Sequence, residues 1–176
     1  MPFRTPRAAV LLSALAFLLA GVPALAQRAS PHETVTATVD GATISVTYGR
    51  PYMKGRVVMG GLVPFGALWR TGADEATTLV TDRDLLLGGA RLRAGSYTIF
   101  TVPDRSAWKV IVNAETGQSG LEHDASKDLA TLDATPAALA APVEQFTIAI
   151  TDTPAGGALA LRWERTEVIV PFTVAN

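Results

Sequence analysis

The sequence predicts an all-β protein, a single antiparallel β-sandwich domain that follows an N-terminal signal peptide. Apolar and polar residues alternate with period two along many short runs, which is typical of half-buried strands. Turn residues separate these runs, and the pairs Asp40-Gly41 and Gly88-Gly89 are typical of tight hairpins. Cysteine is absent, so we expect a hydrophobic core, and not a disulfide framework, to hold the domain together.

Residues 1–26 have the order of an export signal. Arg4 and Arg7 precede an apolar run at residues 8–21, and Ala24-Leu25-Ala26 forms an A-x-A cleavage site. The apolar run falls short of the roughly 20 residues that span a bilayer, so we expect cleavage and not a membrane anchor. This predicts an exported protein, periplasmic or extracellular, without a transmembrane segment after cleavage.

Cleavage would leave residues 27–176 as one β-sandwich domain. Two of the 15 Lys and Arg residues lie in the signal, so 13 remain against 16 Asp and Glu, a charge of about −3. A slightly acidic chain gives no reason to expect a nucleic-acid partner. The composition does not decide the oligomeric state.

The strands follow from alternation and from the turns between them. Asp40-Gly41 is expected to join the first two strands in a type I′ hairpin, because both central positions of that turn need φ > 0. Gly88-Gly89 offers a second tight turn, and the strand before Pro103-Asp104 is apolar on both faces. In chain order, the predicted strands are residues 35–39, 44–48, 77–81, 85–87, 90–92, 97–102, 107–113, 129–132, 144–151, 158–163 and 167–173.

Two segments allow alternatives. The alanines of residues 126–141 favour helix but Pro136 and Pro142 break a long one, so we expect at most one helical turn at residues 136–139. Tyr97 follows Ala94-Gly95-Ser96, which suits either a tyrosine corner, in which the hydroxyl bonds back to nearby backbone, or a core Tyr at a strand start.

The segment of residues 48–77 differs from the strands around it. It combines aromatic residues, glycines, prolines and cations, and no acid occurs from Gly41 to Ala73. Such a connection suits a binding site on a rigid scaffold, or an ordered structural loop. The basic stretch would attract an anionic or hydroxyl-rich ligand, with Tyr52 or Trp69 as an apolar platform. The predicted ligand-binding residues are Arg50, Tyr52, Lys54, Arg56, Trp69, Arg70, Thr71, Asp74 and Glu75.

Arg70 is expected to form an ion pair with Asp74 or Glu75 that organises the loop after Trp69, because a buried charge needs a partner. If this stretch is extended, the two acids point to opposite faces and cannot act as a carboxylate pair.

Signatures of catalysis and of metal binding are missing. His32 and His123 lack metal-ligand spacing, no nucleophile elbow or phosphate loop occurs, and the chain has no thiol. We therefore predict no catalytic residues, no metal site and no cofactor.

Several motifs resemble the family catalogued as domain of unknown function 2911. The resemblance covers residues 30–171, and its tryptophan-arginine-threonine-glycine motif is specific. It implies an exported bacterial protein without an assigned activity, so it supplies no site residues. Asp74 stands where the family usually carries asparagine, whereas Glu75 matches its pattern. The motifs are Ser30-Pro31, Tyr48-x-Arg50-Pro51-x-x-Lys54-Gly55-Arg56, Gly61-Leu62-Val63-Pro64-Phe65-Gly66, Trp69-Arg70-Thr71-Gly72-Ala73-Asp74-Glu75-Ala76-Thr77, Ala94-Gly95-x-Tyr97-x-x-Phe100-x-x-Pro103 and Trp108.

The residues leave three functions open. The first is a non-catalytic sandwich that binds a small molecule, a glycan or an envelope protein through residues 48–77. The second is a hydrolase that uses Asp74 or Glu75 with Arg70, and the third is a purely structural envelope protein. The lack of facing carboxylates, a catalytic triad or metal-ligand spacing favours the first.

Overall fold

Ten strands form the part of the chain that the structure describes. The structure is a computed structural model, and it describes residues 30–175. One turn of 3₁₀ helix, Ala125–Lys127, lies among the strands. The strands are β1 (His32–Val39), β2 (Ala42–Gly49), β3 (Ala73–Thr81), β4 (Leu85–Leu87), β5 (Ala90–Leu92), β6 (Gly95–Val102), β7 (Trp108–Asn113), β8 (Asp128–Ala134), β9 (Pro136–Thr153) and β10 (Gly156–Val174).

The strands form two sheets with the orders β1-β2-β3-β6-β7-β8 and β5-β4-β10-β9. All pairs of neighbouring strands are antiparallel. The inward side chains of both sheets meet in one apolar core, in which Tyr48 and Trp108 of one sheet and Phe146 and Trp163 of the other are at most 2% exposed. The predicted all-β class and antiparallel sandwich are confirmed.

Both predicted hairpins are confirmed. Asp40 and Gly41 have φ of 47° and 77°, and Gly88 and Gly89 have φ of 53° and 91°, as the type I′ turn requires. The tyrosine corner also forms, because the Tyr97 hydroxyl donates to the carbonyl oxygen of Arg93 at 2.7 Å. Local turn chemistry therefore predicted these connections correctly.

The later strands differ from the prediction. The helical turn expected at residues 136–139 is wrong, since those residues begin β9. β9 lies at the edge of its sheet, where Pro136 and Pro142 need not donate to a neighbouring strand on their free side. The two strands predicted at residues 158–163 and 167–173 are one strand, β10, whose register shifts around Glu164 at φ 55°.

The predicted signal peptide, residues 1–26, lies outside the described residues, so its cleavage stays a prediction. Within residues 30–175, no helix is long and apolar enough to cross a bilayer.

Candidate functional site

The connection between β2 and β3, residues 50–72, has no strand or helix of its own but is held firmly on the sandwich. Trp69 exchanges two backbone hydrogen bonds with Thr101 of β6, at 2.7 and 2.9 Å. The Glu164 carboxylate in β10 accepts the backbone N–H groups of Val58 and Met59 at 3.3 and 3.0 Å, and Val58 is fully buried. Ordered loops of this length inside a compact domain are usually functional.

The connection lines a cleft of about 460 Å³. This volume falls in the range of about 300–1,000 Å³ that is usual for small-molecule sites. Ser30, Trp163 of β10 and the start of β3 complete the lining. Six of the nine predicted ligand-binding residues line the cleft, namely Tyr52, Lys54, Arg56, Trp69, Arg70 and Asp74.

The other three, Glu75, Arg50 and Thr71, are not among the cleft-lining residues. Arg50 forms an ion pair with Glu33 and donates from Nε to the carbonyl oxygen of Phe146 at 3.1 Å, so it connects β2 to β1 and β9. Thr71 is fully buried, has φ of 56°, and donates to the Thr101 hydroxyl at 3.1 Å. The side chains of Arg50 and Thr71 stabilise the scaffold around the cleft.

Trp69 provides the accessible aromatic surface of the cleft, because Trp163 is only 1% exposed. Trp69 stacks on Trp163 with centroids 5.8 Å apart and planes 21° apart. Phe146 and Trp108 contact Trp69 edge to face at 5.0 and 6.4 Å. The Trp69 Nε1–H also donates to the carbonyl oxygen of Gly72 at 3.1 Å. A ring held from several sides presents a rigid face to a ligand.

The polar side of the cleft is basic. Its charged lining consists of three cations, Lys54, Arg56 and Arg70, and one acid, Asp74. Arg56 donates to the backbone carbonyl oxygens of its own loop at 2.7 and 2.9 Å. Among residues 30–175, none of the three cations forms an ion pair. The acid-free stretch seen in the sequence therefore gives the cleft an excess of positive charge.

The predicted ion pair of Arg70 with Asp74 or Glu75 is wrong. No such pair forms, and within the described residues 30–175 the buried Nε of Arg70 has no hydrogen-bond partner. A Cβ at Gly120 would overlap the Cδ of Arg70, so the loop after β7 lies directly on the arginine stem. The sequence prediction failed because both acids approach the imidazole of His32 and not the guanidinium of Arg70.

Asp74 and Glu75 do not lie in the extended stretch for which opposite faces were expected. Thr47 of β2 pairs with Thr78, but Gly49 pairs with Ala73, so β3 bulges between these two pairs. Asp74 has φ of 64° within the bulge. Both acids approach His32, whose Nε2 lies 3.4 Å from Asp74 Oδ2 and 3.0 Å from Glu75 Oε2.

His32 is the residue that sequence reasoning missed at this site. It pairs with Gly49, which in turn pairs with Ala73, so these residues form a row across β1, β2 and β3. A Cβ at residue 49 would overlap the backbone of Ala73, so the close approach of β3 requires glycine there. No spacing in the sequence signals this contact, because His32 and Asp74 are 42 residues apart.

The comparison with protein families decides the identity of the chain. The model of the family described as "Protein of unknown function (DUF2911)" matches residues 30–172. The chain belongs to the DUF2911 family. The DUF2911 match spans both sheets and the cleft, which confirms the resemblance seen in the sequence. No curated protein and no solved structure matches the chain.

Proposed function

We propose that this protein is an exported, non-catalytic binding domain whose cleft takes a small organic anion, a carboxylate attached to an apolar group. Arg70, which has no carboxylate partner within the described residues, carries the proposal. A buried or half-buried cation is costly unless it is paired, and no carboxylate among residues 30–175 pairs with Arg70. A ligand carboxylate that meets the guanidinium from the cleft would supply the missing charge partner.

The chemistry of the guanidinium favours a carboxylate. Its planar fork donates two parallel hydrogen bonds that match the two oxygens of that group. Lys54 and Arg56 add positive charge along the same cleft. Their field would attract an anion toward the cleft during association.

The aromatic wall favours a ligand with an apolar portion. Trp69 offers its ring surface to the cleft, and the buried Trp163 supports it from the core by stacking. Flat apolar surface combined with a few convergent polar groups is the usual composition of a small-molecule site. The same wall would suit a hydroxyl-rich ligand such as a glycan, which the test below distinguishes.

A thermal-unfolding screen tests this proposal. Carboxylates of increasing apolar size are compared with neutral sugars, and we expect the carboxylates alone to stabilise the protein, by about 2.7 kcal/mol at a hundredfold excess over Kd. Arg70→Lys keeps the charge but removes the fork, so it should weaken the response. Arg91→Lys is the matched control, because Arg91 pairs with Asp84 in the other sheet.

Three results would count against the proposal. Stabilisation by sugars alone would favour a glycan ligand, and an equal response of the Arg70→Lys and Arg91→Lys variants would place the anion elsewhere. Stabilisation by no compound in the screen would favour an envelope protein as partner, or a structural role.

Export is tested separately. The intact mass of protein recovered from the periplasm or medium should correspond to a chain that begins at Gln27. A full-length chain that stays with the membrane would refute the export part of the proposal.

A hydrolase is the second candidate, because Asp74 and Glu75 share one side of β3 in place of the opposite faces expected for an extended strand. One imidazole nitrogen of His32 and one carboxylate oxygen each of Asp74 and Glu75 lie within 4.8 Å of one another. Glycosidase and esterase assays on the purified protein test this candidate. Turnover that disappears in Glu75→Gln would replace the non-catalytic proposal, and activity at background would leave it standing.

A further inference from the structure

Three potential metal ligands from two separate strands converge beside the cleft. His32 begins β1, and Asp74 and Glu75 follow the first residue of β3. Between them lies Gly49 of β2, so no side chain of β2 separates the imidazole from the two carboxylates. The bulge in β3 directs both acids toward the imidazole.

The separations match the donor atoms of a single bound ion. Metal–nitrogen and metal–oxygen bonds of about 2.0–2.2 Å place neighbouring donors about 3.0 Å apart in octahedral and about 3.4 Å apart in tetrahedral coordination. The imidazole Nε2 lies 3.0 Å from Glu75 Oε2 and 3.4 Å from Asp74 Oδ2. The three donor atoms all lie within 4.8 Å of one another.

The charge and the donor types of the cluster indicate which class of metal ion it would bind. Two carboxylates with a neutral imidazole carry a charge of −2, which a divalent cation neutralises, and it also removes the repulsion between the two acids. Imidazole nitrogen suits first-row transition metals, whereas Ca²⁺ and Mg²⁺ prefer oxygen donors alone. We propose that His32, Asp74 and Glu75 together bind one divalent first-row transition-metal ion, such as Zn²⁺ or Mn²⁺.

The position of this cluster leaves coordination sites open. The side chains of His32, Asp74 and Glu75 are 24%, 42% and 53% exposed, so water can complete the shell. Three protein ligands with open positions are typical of metal sites that bind a further ligand. Asp74 also lines the cleft, so the ion would lie at its edge.

Calorimetric titration of the purified, chelator-treated protein with ZnCl₂ alone, and separately with MnCl₂ alone, tests the proposal. We expect saturable binding of one ion per chain. His32→Gln, Asp74→Asn and Glu75→Gln should each lower the association constant at least tenfold, since each removes one of three ligands. Circular dichroism before titration shows that each variant is folded.

Two matched controls use the same substitutions elsewhere. His123→Gln removes the other histidine, and Asp152→Asn removes an exposed acid in β9. Both should bind the ion as the unmodified protein does. Binding that persists in His32→Gln, or that is lost in His123→Gln, would overturn the site.

Titration of the unmodified protein can refute the site without any variant. Absence of saturable binding would leave the cluster as an ion pair between a protonated His32 and the two acids, and would overturn the proposal. No organic anion is present in these titrations, so their outcome is independent of the proposed carboxylate ligand.

Discussion

Arg70→Met separates a ligand-binding role of Arg70 from a structural one. Methionine keeps an unbranched apolar stem beneath the loop that contains Gly120, but it removes the charge and the buried Nε–H group. If Arg70 is retained for a ligand, the free protein should become more stable when it is replaced. If Arg70 supports the loop through its charge, the variant should be less stable.

The magnitude follows from the unsatisfied donor. A buried polar group without a hydrogen-bond partner costs about 1–3 kcal/mol. We expect Arg70→Met to raise the free energy of unfolding by up to that amount. In a chain of this size, each 1 kcal/mol shifts Tm upward by about 2–4 °C.

Urea unfolding followed by tryptophan fluorescence measures this change, because all three tryptophans lie in the cluster around the cleft. Arg56→Met is the control, since Arg56 lines the same cleft but donates to two backbone carbonyls, and its loss should lower stability. The carboxylate response should disappear in Arg70→Met. A variant that loses stability and still responds to carboxylates would refute the reasoning.

Two further predictions concern pairs outside the cleft. Tyr48→Phe should lower the free energy of unfolding, measured with urea, by about 1–3 kcal/mol. The Tyr48 hydroxyl accepts the Ile148 N–H at 2.8 Å between the sheets, and its loss leaves that donor without its partner. An unchanged free energy of unfolding would show that the donor finds another acceptor. The hydrogen bond from the Ala94 N–H lowers the pKa of the Asp84 carboxyl in the folded protein. The ionised carboxylate therefore stabilises the fold above the unfolded-state pKa of about 3.9, and this stabilisation is lost as the pH falls through the folded-state pKa. The unfolding midpoint should therefore fall less between about pH 5 and pH 2 for Asp84→Asn than for the unmodified protein. Equal decreases in the two proteins would contradict this.

Local chemistry accounts for the part of the fold that was predictable. The turn pair Asp40-Gly41 and the alternation around it act over a few residues, so they specify a hairpin without knowledge of the rest of the chain. Residues 136–139 differ from the prediction because helix propensity, even that of alanine, is a weak local preference. Pairing with β10 overrides it. At Glu164, where a break between two strands was expected, β10 continues with a shift in register against β9.

The cleft shows the same division between local and long-range effects. The composition of residues 48–77 identified the basic and aromatic residues of the cleft. A basic run without acidic residues keeps its positive charge whatever its position in the fold. The partners of that run come from distant strands. Glu33 pairs with Arg50, Glu144 accepts the backbone N–H of Lys54 at 2.8 Å, and Glu164 accepts two N–H groups of the same loop.

The sequence by itself determined the fold class, the hairpins, the family and the segment that forms the cleft, since each depends on neighbouring residues or on a motif. Only the tertiary structure decided that Arg70 has no carboxylate partner within residues 30–175 and that His32 meets Asp74 and Glu75. The physical reason is the register of three strands. A bulge of β3 against Gly49 turns two adjacent acids to one side, and side-chain alternation cannot predict where such a bulge occurs.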